Sequence, residues 1–137
     1  MIQAILVSMI VMGASAWALP KEEEHEILMS VVHKYELNED EARLLFAIRR
    51  HENGRPGLEF GIGQEEGPGH RARRYAHDPR KSLRLQAEWA AGTIKRRFDG
   101  NLWRFAQIWC PRGAAAWYRS VYNILMTEYA VAPQDLR

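Results

Sequence analysis

A single cysteine in 137 residues, Cys110, excludes any disulfide within the chain. No histidine follows it to serve as a base, so it reads as a small packed residue between Trp109 and Pro111, not as a nucleophile. Runs of alternating polar and apolar residues are missing, which leaves no strand to expect, and there are no internal repeats or low-complexity tracts. Metal and phosphate motifs are missing too. His51-Glu52 opens like a zinc-protease helix, but Arg55 stands where the second histidine is required. His70 and His77 lack a third ligand. Gly61-Ile62-Gly63 has neither the strand nor the lysine of a phosphate loop. No metal and no cofactor is expected.

Charge is absent from Met1–Leu19. Ala16-Trp17-Ala18 fits the small-x-small pattern of a signal cleaved after Ala18, and an apolar run of roughly twenty residues would also serve as an uncleaved membrane anchor. Residues 1–18 are therefore read as a signal peptide or anchor. Residues 21–137 form one exported domain, periplasmic, extracellular or held in the cell envelope. The length suits a single core.

What is present is helical pattern and divided charge. Residues 21–52 carry five basic and nine acidic side chains, a balance of −4; residues 69–104 carry ten basic and three acidic, a balance of +7. A basic half suits a polyanion, and behind an export signal an anionic wall or membrane surface is expected before nucleic acid. Five helices are predicted, making the fold all-α. The first spans about Glu22–Tyr35, with glutamates in its first turns. Asn38 caps the second, with Glu41 completing a capping box, and the helix runs to about His51. Asp78-Pro79 starts a third, whose stripe is Leu83, Ala87, Ala90, Ile94 and Phe98. Asn101 starts a short fourth, and the last covers about Ala114–Tyr129. Between the second and third lies Gly54–Gly69, with six glycines and two prolines, too many for regular structure. A long loop inside a small domain is usually functional or mobile.

Glu52 stands where the second helix meets that loop. Residues seven apart on a helix differ by about 20° in direction, so Glu52 prolongs the side of Leu45 and Ile48, while Arg49 and Arg50 take the solvated side. Loss of hydration favours the neutral form of a carboxyl, the form a proton donor needs. The alternative for such a glutamate is a solvated end of helix, or pairing with Arg49, Arg50 or Arg55.

The string Glu52-Asn53-Gly54, followed by Phe60-Gly61-Ile62-Gly63-Gln64 and then by an aromatic helical pair around Trp109-Cys110-Pro111, resembles lytic transglycosylases and goose-type lysozymes, and small phage and bacterial lysozyme-like proteins. Asn53 replaces the serine usual after the catalytic glutamate, and Ile108-Trp109-Cys110-Pro111 stands where a Tyr-Asn-Ala-Gly motif is usual. The resemblance implies a lysozyme-like helical domain that cleaves the β-1,4 bond between N-acetylhexosamines of peptidoglycan, with Glu52 as general acid and base. If water attacks, Glu59, Glu65 and Glu66 are the nearby candidates for a second carboxylate, Glu59 the better of them and Glu65-Glu66 expected to be solvated. Asn53, Gly61, Gln64, Tyr75, Trp117 and Tyr118 are candidate sugar contacts, since amides bond sugar hydroxyls and rings stack on sugar faces. Core packing is the alternative for the aromatic residues of the last helix, Tyr122 among them. A non-catalytic module of the same fold, binding wall glycan or a partner, is the competing reading. No nucleic-acid partner is expected.

Overall fold

The computed structural model describes residues 18–62 and 74–129. The N-terminal signal or anchor segment falls almost wholly outside these residues, as do Gly63 and Gln64. Every described element is a helix: α1 (Lys21–Lys34), α2 (Glu39–Glu52), α3 (Pro79–Arg97), α4 (Leu102–Trp109) and α5 (Ala114–Tyr129). None is long and apolar enough to cross a membrane.

Three of the starts are written locally. In α2 the Asn38 side chain accepts from the Glu41 amide at 2.8 Å while the Glu41 carboxylate accepts from the Asn38 amide at 2.9 Å, closing the capping box. Asp78 caps α3 through the Lys81 amide, with Pro79 in the first turn, and Asn101 caps α4 through the Arg104 amide at 2.9 Å. The glycines and proline after His51 predict the stop of α2 at Gly54, Pro56 and Gly57, but it lies at Asn53. Asn53 itself takes the left-handed conformation, φ 43° and ψ 38°, and its amide closes on the Arg49 carbonyl at 2.9 Å. Gly54 has another task. A Cβ there would lie 1.7 Å from the Leu58 carbonyl oxygen, so the loop can fold back on itself only at a residue without a side chain.

One apolar face of each helix closes the core. Ile27, Leu28 and Val31 of α1 and Leu83, Ala87, Ala90 and Ile94 of α3 meet Leu44, Leu45, Ala47 and Ile48 of α2. Trp117, Val121 and Leu125 of α5, with Leu102, Phe105 and Ala106 of α4, close the far side. α2 lies between, packed on α3 and on α5, while α1 covers α3 and α4 covers α5. The helix that ends in Glu52 thus has neighbours on both flanks.

The two charge blocks face each other across this packing. Arg80 reaches Glu23 at 2.6 Å, Lys34 reaches Glu88 at 3.1 Å and Lys95 reaches Glu41 at 3.5 Å. Such partly exposed pairs contribute about 0–1 kcal/mol each, so their effect is mainly on which helix faces fit together. Part of the basic excess of α3 is absorbed by α1 and α2 within the chain.

Gly92 lies buried in α3 near Tyr35. A Cβ there would sit 3.1 Å from Nη1 of the exposed Arg96 side chain, which is free to swing away, and 3.5 Å from the Tyr35 ring. Alanine is favoured over glycine inside a helix by about 1 kcal/mol. Gly92→Ala is therefore expected to raise stability by about 0.5–1 kcal/mol, read as a higher denaturation midpoint at unchanged slope.

Candidate functional site

The 3.6-residue repeat that buries Leu45 and Ile48 carries Glu52 toward α5. There its carboxylate meets two indoles. Trp117 Nε1–H, from the first turns of α5, donates to Glu52 Oε2 at 3.1 Å, and Trp109 Nε1–H, from the last residue of α4, donates to the same oxygen at 3.4 Å. Trp109 is half-buried and Trp117 buried. Glu52 keeps part of its surface exposed. On the other side, Gly61 comes so close that a Cβ on it would lie 2.6 Å from Glu52 Oε1. Gly61 also holds φ at 70°, a conformation that L side chains avoid, so both backbone shape and space require glycine there. It is exposed to solvent.

The loop that delivers Gly61 is held by side chains from α2 and α3. Gln86 is fully buried; its Oε1 accepts from the Phe60 amide at 3.0 Å, and its Nε2 donates to the carbonyls of Gly57 and Ile62 at 3.2 and 2.9 Å. Arg49 Nη1 donates to the carbonyls of Gly54 and Glu59, at 3.2 and 3.1 Å, while its Nε is fixed by Glu24 at 2.7 Å. Phe60 and Ile62 point into the core and anchor the loop from below. Backbone groups that would otherwise be buried without partners are satisfied by two side chains, which keeps an irregular segment rigid beside α2. Arg49 is therefore no solvated residue. The loop curls over its side of the helix and leaves it half-buried.

Glu59 is inside this loop, 3% exposed. Its Oε1 accepts from the Gly57 amide and from Ser82 Oγ, each at 3.0 Å. Burial pushes this carboxyl above its ordinary value of 4.5, against the opposing effect of those hydrogen bonds and of Arg49. A raised value means the folded state binds the proton more tightly than the unfolded chain does. The favourable contribution is therefore complete below 4.5 and is lost as pH rises through the folded value. Wild-type unfolding free energy minus that of Glu59→Gln is expected to fall over that window and then level off. Denaturation of both proteins at a series of pH values checks this; a flat difference contradicts it.

The predicted residues gather only in part. Glu52, Gly61 and Trp117 meet at one point, and Asn53 adjoins them as the exposed helix cap. Trp117 gives its N–H to Glu52 and packs between Phe105, at 6.1 Å, and His51, at 6.1 Å, so it has no open face for a sugar. Glu59 is tied to Ser82 and Gly57 and turned away from solvent. Tyr118 packs against Trp103 and Tyr122, at 5.6 and 5.7 Å. Tyr75 lies before α3 under the Lys81 ammonium, 3.9 Å from the ring centre. Neither tyrosine is among the residues bonded to Glu52. Gln64 lies outside the described residues.

No protein-family model, no curated protein and no solved structure matches this chain.

Two depressions of about 380 and 470 Å³ open beside Asn53; Glu24 and Arg49 line both, Arg55 and Glu59 the first, and His25 and Tyr129 the second. Neither is lined by Glu52, whose carboxyl instead lies between Gly61 and the indoles. Four residues of this arrangement have no part in the sequence-based expectation: Gln86, Ser82, Arg49 as a loop clamp, and Trp109 as a donor to Glu52. Gln86 alone carried a local signal, an amide next to Ala87 on the apolar stripe of α3. Among the described residues no cluster of His, Cys, Asp or Glu could hold a metal ion.

Proposed function

We propose that this protein is a lysozyme-like glycosidase that cleaves the β-1,4 bond between N-acetylhexosamines of peptidoglycan, with Glu52 as general acid and then base. The observation that carries this reading is the Glu52 carboxyl: half-exposed at the end of α2, fixed by two indole N–H groups and bordered by an exposed glycine. A proton donor must be held still yet remain reachable, and this carboxyl meets both requirements.

In the proposed reaction Glu52 gives its proton to the glycosidic oxygen as the bond from that oxygen to C1 breaks. The 6-hydroxyl of the same sugar, or a water molecule, then bonds to C1, and its proton returns to the Glu52 carboxylate. Attack by water in an inverting enzyme calls for a second carboxylate about 6.5–9.5 Å away. Glu59 is poorly suited to that work because its carboxyl is buried and engaged by Ser82 and Gly57. With Glu59 so engaged, and Glu65 and Glu66 outside the described residues, the proposal is attack by the 6-hydroxyl, which needs one carboxyl only and leaves an anhydro sugar. Export to the cell envelope is part of the same proposal.

Mass spectrometry of soluble products from purified walls tests the reading. Anhydro-ended fragments are expected, lighter by one water than hydrolysed ones. Hydrolysed fragments would keep the glycosidase and change the attacking group. Protein that pellets with walls and releases no fragment would instead be a glycan-binding module.

A further inference from the structure

The two oxygens of Glu52 have unlike surroundings. Oε2 receives both indole hydrogens, from Trp117 at 3.1 Å and from Trp109 at 3.4 Å. Oε1 lies toward Gly61. A carbonyl oxygen offers two lone pairs, and with both engaged by N–H groups Oε2 has no room for a hydrogen of its own. The neutral acid must then carry its hydrogen on Oε1.

The indoles are not free to swing away. Trp109 stacks on Phe105, with centroids 5.8 Å apart and planes at 28°, and meets Trp89 edge-on at 6.0 Å. Trp117 meets the edge of His51, whose Nδ1 lies 2.7 Å from Ser120 Oγ. One donor comes from α4 and the other from α5, so the α4–α5 hairpin as a unit fixes the plane of a carboxyl mounted on α2.

We infer that Trp109 and Trp117 are positioning residues that confine the acid proton of Glu52 to Oε1, and that the glycosidic oxygen approaches the carboxyl from the Gly61 side. The inference rests on Glu52 being the acid of the proposed glycosidase. It explains why the loop is clamped so that a glycine, and no side chain, borders Oε1: any Cβ at position 61 would crowd the oxygen that delivers the proton.

Trp109→Phe and Trp117→Phe keep a ring and remove the N–H. Each is expected to lower kcat on a soluble N-acetylglucosamine oligomer or solubilised wall glycan by about tenfold, the order expected for losing one hydrogen bond to a charged group. KM should change less than twofold, and neither substitution should lower further the residual rate of Glu52→Gln. Unchanged kcat in both variants overturns the inference, as does an equal loss on the Glu52→Gln background, which would mark a packing role. Trp117 is buried, and its variant could fail to fold, so a second measurement uses the native protein. In 1H–15N spectra at one pH the indole N–H signals of Trp109 and Trp117 should shift between the wild type and Glu52→Gln; signals that coincide in the two proteins also overturn it. An active wild type with unaffected tryptophan variants defeats this inference alone. A wild type that cleaves nothing defeats the glycosidase reading and proton delivery with it.

Discussion

Glu52→Gln is expected to lower the release of soluble fragments from purified walls by about 10²–10⁴-fold, the contribution usual for a positioned general acid. The substitution changes little else. Glutamine has nearly the same shape, and its amide oxygen can still accept from Trp109 and Trp117. A negative charge near the C-terminal end of α2 opposes the helix dipole, and its removal offsets the weakening of the two indole bonds, so the melting temperature is expected to change little. Binding to walls should persist, because the substitution alters one side chain without changing its shape. Fragment release, a thermal melt and a pelleting assay on the two proteins separate a catalytic loss from a folding loss. Equal fragment release by both would remove Glu52 from the chemistry.

The second large effect is on stability. Gln86→Leu keeps the volume of the side chain and removes three hydrogen bonds at once, leaving the Phe60 amide and the carbonyls of Gly57 and Ile62 without their partner. A buried polar group left unpaired costs about 1–3 kcal/mol. Loop relaxation and the added apolar side chain offset part of the total, and a net loss of about 3–5 kcal/mol is expected. That is a large share of the 5–15 kcal/mol typical of a small domain. The loss should be concentrated in residues 57–62, so amide hydrogen exchange at Phe60 should accelerate more than exchange in the middle of α2. Chemical denaturation gives the magnitude and exchange gives the place. Uniform acceleration across α1–α5 would mean that Gln86 supports the whole core and not the loop. Fragment release should fall as well, since the same clamp holds Gly61 beside Glu52.

These two residues also mark how far sequence reasoning reaches. Glu52 was legible because its position depends on helix periodicity alone: seven residues after Leu45, it points where the apolar stripe points. The five helices were legible for a similar reason. Three of their starts are fixed by contacts three residues long, at Asn38–Glu41, Asp78–Lys81 and Asn101–Arg104. Contacts between distant segments were another matter. Gln86 pairs with backbone groups 24 to 29 positions earlier, and nothing local tells which carbonyls an amide on α3 will meet. Arg49 looked solvated because the helical wheel does not know that the following loop will fold over it. Glu59 looked available for the same reason. The basic block suits a polyanion by composition, and periodicity does not tell that Glu23 and Glu41 engage Arg80 and Lys95 of it across helix pairs inside the fold. The indole donors were half legible: Trp117 was singled out as a sugar contact, but its N–H bond to Glu52 depends on how α5 packs on α2.

A crystal structure of Glu52→Gln with an N-acetylglucosamine oligomer bound tests the central claim most directly. The account predicts a glycosidic oxygen within about 2.6–3.2 Å of the residue 52 side chain, approached across Gly61. An ordered oligomer seated elsewhere, with residue 52 facing empty solvent, would contradict it.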